Sequence, residues 1–91
     1  MSQLGKLLED LRAYKTGSVA FDDLLVLSPR FGILVENNGG SGYTFSHDLA
    51  AQVVTIHRPH GRRERLSVSD LKRFEALIDE VLEKSATNEP G

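Results

Sequence analysis

The sequence predicts an α+β fold, a three-stranded antiparallel sheet packed by helices, and three observations lead there. Apolar residues recur at helical spacing near both ends of the 91-residue chain. The first two of three strand-like runs between them are separated by Asn37-Asn38-Gly39-Gly40, a turn signal because Asn and Gly accept positive φ. The second and third runs, Tyr43 to His47 and Gln52 to His57, alternate apolar with polar residues and are joined by a connector, the pattern of a hairpin.

Leu4, Leu7, Leu8, Leu11 and Tyr14 fall at i, i+3, i+4, i+7 spacing, with Lys6, Glu9, Asp10 and Arg12 opposite, which predicts a helix from about Gln3 to Ala13. Lys15-Thr16-Gly17-Ser18 breaks it. Phe21, Leu24, Leu25 and Leu27 give a shorter second stripe, with Asp22 and Asp23 in its first turn, where the helix dipole favours anions. Pro29 is expected to end that helix, because the residue before a proline is pushed out of the α region.

Phe31 to Glu36 reads as the first strand. In the second, Tyr43, Phe45 and His47 share one face and Gly42, Thr44 and Ser46 the other. The third sets Val54 and Ile56 against Val53, Thr55 and His57, which predicts the more fully buried strand of the pair. Ser67 with Asp70 three residues on forms a capping-box-like start for the longest helix. Its buried stripe is Leu71, Phe74, Leu77, Ile78, Val81 and Leu82, and it is expected to cover the sheet. Ser85 to Gly91 reads as a frayed, flexible tail.

Ninety-one residues make one domain, 1–91, with a single modest core. The chain has no cysteine, which removes disulfides and thiolate metal sites. Its longest apolar run, Leu24 to Leu27, is too short to cross a bilayer, and the N-terminus lacks the apolar core of a signal peptide. A soluble, cytoplasmic protein without membrane partners is expected.

The net charge of −2 argues against a wholly basic nucleic-acid binder, but the charge is unevenly placed. Met1 to Gly40 carries four basic and five acidic residues, and Leu71 to Gly91 three and five. Between His57 and Arg65 stand four arginines, Arg58, Arg62, Arg63 and Arg65, against Glu64 alone, with His57 and His60 beside them. The cationic surface is local.

The order helix, strand, strand, strand, helix combines with a Gly-Ser-x-x-x-Phe-x-His signature at Gly40 to His47 and a Val-Thr-Ile-His-Arg-Pro run at Val54 to Pro59. In this it resembles the HicA toxins of HicAB toxin–antitoxin modules. The similarity runs from Ser18 to about Leu82, so residues 18–84 would form the HicA-like core and residues 1–14 an extra N-terminal helix. The resemblance implies a fold like the double-stranded-RNA-binding domain, (α)αβββα. It also implies a metal-independent, cofactor-free endoribonuclease that cleaves mRNA and arrests translation until a HicB-like antitoxin covers its site.

The family's catalytic histidine directly follows the Gly-Ser pair, which here is position 42. Gly42 has no titratable group, so it cannot exchange a proton with a ribose 2′-hydroxyl or a leaving oxygen, as an imidazole can. Either the chain is an inactive or impaired toxin, or another histidine has taken over. His47 lies roughly 16 Å from position 42 along the strand and on the opposite face, so it is a poor substitute and reads as a structural histidine. His57 and His60 stand as substitutes, beside the plainer reading that they are structural. A histidine placed at 42 would project with Thr44 and Ser46 on the polar face, with slight burial.

Ser41, Arg58, Arg62, Arg63 and Arg65 are the expected RNA contacts, because the arginine fork suits phosphate and A-form RNA is read largely by shape. The bland alternative is a solvated loop paired with acidic neighbours, or a surface for an acidic protein partner. A metal site built from the three histidines is not expected, since no helical His-x-x-x-His pair exists. Gly39, Gly40 and Gly42 lack the Gly-Lys-Ser/Thr and helix N-terminus of a phosphate cradle, so a hairpin turn is the better reading. A second class of function is a non-catalytic module whose partner is RNA, a HicB-like antitoxin or its own copy.

Overall fold

The computed structural model describes residues 3–59 and 66–88. Three helices and three strands follow in the order α1 (Gln3–Arg12), α2 (Phe21–Arg30), β1 (Leu34–Asn37), β2 (Gly42–Ser46), β3 (Val54–His57) and α3 (Val68–Asn88). The strands form one antiparallel sheet in the order β1-β2-β3, with Leu34 opposite Ser46, Phe45 opposite Val54 and Gly42 opposite His57. The α+β expectation holds at this level.

Both early helices end in the same hydrogen-bonding pattern, reached with different residues. At α1, Tyr14 takes φ 55, its N–H donates to Leu11 O and the Lys15 N–H to Asp10 O. At α2, Gly32 takes φ 70, its N–H donates to Pro29 O and the Ile33 N–H to Ser28 O. These are paired Schellman bonds, which satisfy carbonyls that the helix leaves unpaired. The Gly32 end corrects two expectations. Pro29 does not stop α2 but sits inside its last turn, and Phe31 to Ile33 form the exit, so β1 begins at Leu34.

Odd-numbered residues of β2 face the helices. Phe45 is fully buried at the centre of the sheet, with its ring centroid 6.3 Å from Phe21 of α2 and 5.4 Å from Phe74 of α3, both edge-on. Leu24, Leu27, Ile33, Val54, Ile56, Leu71, Leu77 and Ile78 complete this core, and Leu11 joins it from α1. α1 is also fastened to α3 by polar bonds: Arg12 reaches Glu75 at 3.2 Å and Asp79 at 2.9 Å, and the Tyr14 hydroxyl donates to Glu75 at 2.6 Å. The bond to Asp79 holds the Arg12 guanidinium above its ordinary pKa, and the bond to Glu75 raises the Tyr14 phenol.

All the buried side chains of the sheet point to this one side. β3 is therefore buried on one face only, not more fully than β2, which is the central strand: Val54 and Ile56 are covered while Thr55, His57 and Val53 are exposed. Leu82 also departs from the expected stripe at 44% exposure, since it lies about 100° round the helix from buried Val81. α3 continues to Asn88, into the stretch read as a tail. Its start follows expectation, with Ser67 Oγ accepting the Asp70 N–H at 3.0 Å and Asp70 Oδ2 accepting the Ser67 N–H at 3.2 Å.

Candidate nucleic-acid interface

The open face of the sheet carries the even-numbered residues of β1 and β2 and the odd-numbered residues of β3. The register arranges them in three rows: Leu34 and Ser46 at one end, Glu36, Thr44 and Thr55 in the middle, and Gly42 with His57 at the other. Chemistry concentrates at the Gly42 end. There the β1–β2 loop folds on Asn37, whose Nδ2 donates to Gly40 O at 3.0 Å and whose Oδ1 accepts the Gly39 N–H at 3.1 Å. Gly39 takes φ 82, which a residue with a Cβ rarely adopts. The Asn38 N–H donates to Gly42 O at 2.9 Å and closes the loop.

This loop sets Ser41 beside His57 and Asn38 beside Thr44. Ser41 Oγ lies 3.5 Å from His57 Nδ1, and the ladder is carried one residue past β3 by the Arg58 N–H donating to Ser41 O at 2.7 Å. Asn38 Nδ2 donates to Thr44 Oγ1 at 2.9 Å, and the Thr44 and Thr55 hydroxyls are 3.4 Å apart. Gly42 lies beneath them. A Cβ on residue 42 would stand 3.4 Å from His57 Cε1, 3.6 Å from its Nδ1 and 3.7 Å from Asn38 Nδ2. Gly42 is therefore buried by its polar neighbours, which corrects the expectation of slight burial there.

Of the sequence-predicted residues, the structure brings Ser41, Gly42 and His57 together. Arg58 is oriented elsewhere: its Nη2 donates to Asp22 at 2.6 Å and its guanidinium lies 5.2 Å from the centre of the Phe21 ring, bracing β3 against α2. That is the acidic-neighbour reading for this arginine. His60, Arg62, Arg63 and Arg65 lie outside the described residues. Arg58, Pro59 and Leu66, which flank that stretch, line a cleft of about 300 Å³ together with Thr16 to Asp22. His47 is structural, at the far end of β2, where its Nδ1 accepts the Leu49 N–H at 2.9 Å.

Asn38, Thr44 and Thr55 belong to the site and were not singled out from sequence. Only the pairing of Thr44 with Thr55 could have found them, and that pairing depends on the length and shape of two loops. Among the described residues no cluster of three or more His, Cys, Asp or Glu is placed to hold a metal ion, and no helix is long and apolar enough to cross a membrane. Compared with known proteins, the chain matches no family profile, no curated protein and no solved structure.

Chemically, the site offers one exposed imidazole flanked by hydroxyl and amide groups. An imidazole can take a proton from a 2′-hydroxyl or return one to a leaving oxygen, and the hydroxyls and amide can hydrogen-bond sugar and phosphate oxygens.

Proposed function

We propose that the chain is an RNA-contacting, HicA-like toxin domain with a double-stranded-RNA-binding-domain-like fold, in which His57 stands in for the missing side chain at Gly42. The observation that carries this reading is the pairing of Gly42 with His57, which sets the imidazole 3.4 Å from the point where a side chain on residue 42 would begin. The family's position and the substitute imidazole therefore share one place on the open face. The basic stretch Arg62, Arg63 and Arg65 begins five residues after His57 in the sequence and offers charge suited to phosphate.

Two measurements test it. A structured or messenger RNA titrated at low and moderate salt should bind, with affinity falling steeply as salt rises, because phosphate contacts release counterions. Absence of binding at low salt removes RNA from the account. RNA integrity followed with the chain, with His57→Ala and with Gly42→His should then show any basal cleavage lost in His57→Ala and cleavage gained in Gly42→His. A positioned imidazole contributes about 10²- to 10⁴-fold. Basal cleavage that survives His57→Ala rejects the role given to His57.

A second reading has its own observation. Leu34 of β1 and Val53, just before β3, are 60% and 61% exposed, and Arg58 is engaged by Asp22, features that suit a non-catalytic module covered by an antitoxin-like protein. Co-purification with such a partner, together with RNA left intact by both the chain and Gly42→His, would favour it.

A further inference from the structure

We propose that Asn38 is a site of spontaneous deamidation and that Asn37 restrains the reaction. Asn38 is followed by Gly39, and both are exposed. Gly39 has no side chain to shield its backbone nitrogen, and no other part of the fold comes within 4 Å of where a Cβ on it would be. The nitrogen is therefore open to the Asn38 amide once it is free to move.

The reaction needs only water. The Gly39 nitrogen loses its proton to a solvent base and bonds to Asn38 Cγ, the Cγ–Nδ2 bond breaks and ammonia leaves, giving a cyclic imide. Water then adds to either imide carbonyl and opens the ring to aspartate or isoaspartate, with no change of oxidation state. Three hydrogen bonds stand against ring closure: the Gly39 N–H donates to Asn37 Oδ1 at 3.1 Å, Asn38 Nδ2 donates to Thr44 Oγ1 at 2.9 Å, and the Thr44 hydroxyl donates to Asn38 Oδ1 at 3.2 Å. All three are exposed to solvent, and one end of each belongs to the β1–β2 loop or the residue before it, where such bonds open readily.

The product matters for this end of the sheet. Asn38 Nδ2 is 3.7 Å from the Cβ position of residue 42, so conversion puts a carboxylate beside Gly42 and His57 and removes a donor to Thr44. Isoaspartate also lengthens the backbone in the β1–β2 loop, which leads directly into Gly42. A loss of RNA affinity on conversion rests on the proposed function; the modification itself does not.

The test is to incubate the full chain at mildly alkaline pH, sampling over days. Position 38 is read by peptide mapping for the mass gain of –OH replacing –NH2, and by labelling with an isoaspartate methyltransferase. Conversion should accumulate at position 38 and be lost in Gly39→Ala. Because Gly39→Ala forces a side chain to φ 82 and disturbs the loop, a second pair of variants leaves Gly39 in place. Asn37→Ala, which frees the Gly39 N–H, should convert faster than the parent. Asn37→Asp, which keeps the acceptor oxygen, should convert no faster than the parent. An unmodified Asn38 overturns the site, and an Asn37→Ala rate at or below the parent's overturns the restraint.

Discussion

Gly32 and Gly42 are both glycines beside a histidine, and the backbone separates their roles. At Gly42 an added Cβ meets His57 and Asn38 only at ordinary contact distances, and its φ lies outside the left-handed region, so Gly42→Ala should melt with the parent. At Gly32 φ is +70 and an added Cβ would stand 3.2 Å from His47 Nε2, so Gly32→Ala meets both backbone strain and a tight neighbour. It should cost about 1–2 kcal/mol in urea unfolding. Equal midpoints for the two variants would contradict the left-handed exit of α2. Gly42→His, unlike Gly42→Ala, has to share space with the His57 ring, so its histidine and His57 cannot both keep the place that one imidazole holds in the parent. Sequence parity put residue 42 on the polar face correctly, but it could not show that His57 covers it, because that depends on cross-strand register.

At the scale of elements, α3 is held at its start by local bonds and by one longer reach. The Ser67–Asp70 capping pair was legible because all its parts lie within four residues, and Ser67→Ala should lower stability by about 1 kcal/mol in chemical denaturation. A loss well below this would mean that the tertiary contacts of α3 set its start without the cap. Arg73 adds what no local pattern shows: Nη1 donates to Thr55 O at 2.9 Å while Nη2 pairs with Asp70, tying the first turn of α3 to the outer edge of β3. That carbonyl would otherwise be open to a further strand, so the arginine blunts one edge of the sheet. The α1 exit is the converse case. Tyr14 occupies a position where glycine is usual, and its hydroxyl bond to Glu75, 61 residues away, compensates in a way no sequence window reveals.

For the whole molecule, Glu80 joins the β2–β3 connection to α3. Its carboxylate accepts the Ala51 N–H at 2.8 Å, receives Lys84 at 3.0 Å and lies 3.4 Å from the Gln52 N–H. The Ala51 bond, then Lys84, lower its pKa from 4.5 to about 2. Because the folded value is the depressed one, the stability that Glu80 contributes is present above the ordinary 4.5 and is lost as pH falls towards about 2. Glu80→Gln should therefore be less stable than the parent at neutral pH, with the gap narrowing across that window. Denaturant midpoints measured from pH 7 downward check this, and a gap that stays constant with pH would show that the carboxylate's charge is not what anchors the connection.

The sequence by itself determined what depends on near neighbours: three helices and three strands in order, the inward side of β2, the capping box of α3, and most of the core, including Phe45, Phe74, Leu71 and Ile78. These follow from periodicity and from hydrogen bonds that close within a few residues. Tertiary structure decided what depends on register and on distant partners. It set His57 over Gly42, joined Asn38, Thr44 and Thr55 into one strip, turned Arg58 to Asp22 and placed the core on one side of the sheet. The physical reason is that side-chain alternation fixes only which face a strand residue points to. Which residue it meets there depends on two loop closures and on the packing of Phe21, Phe45 and Phe74, which no short window of the chain contains.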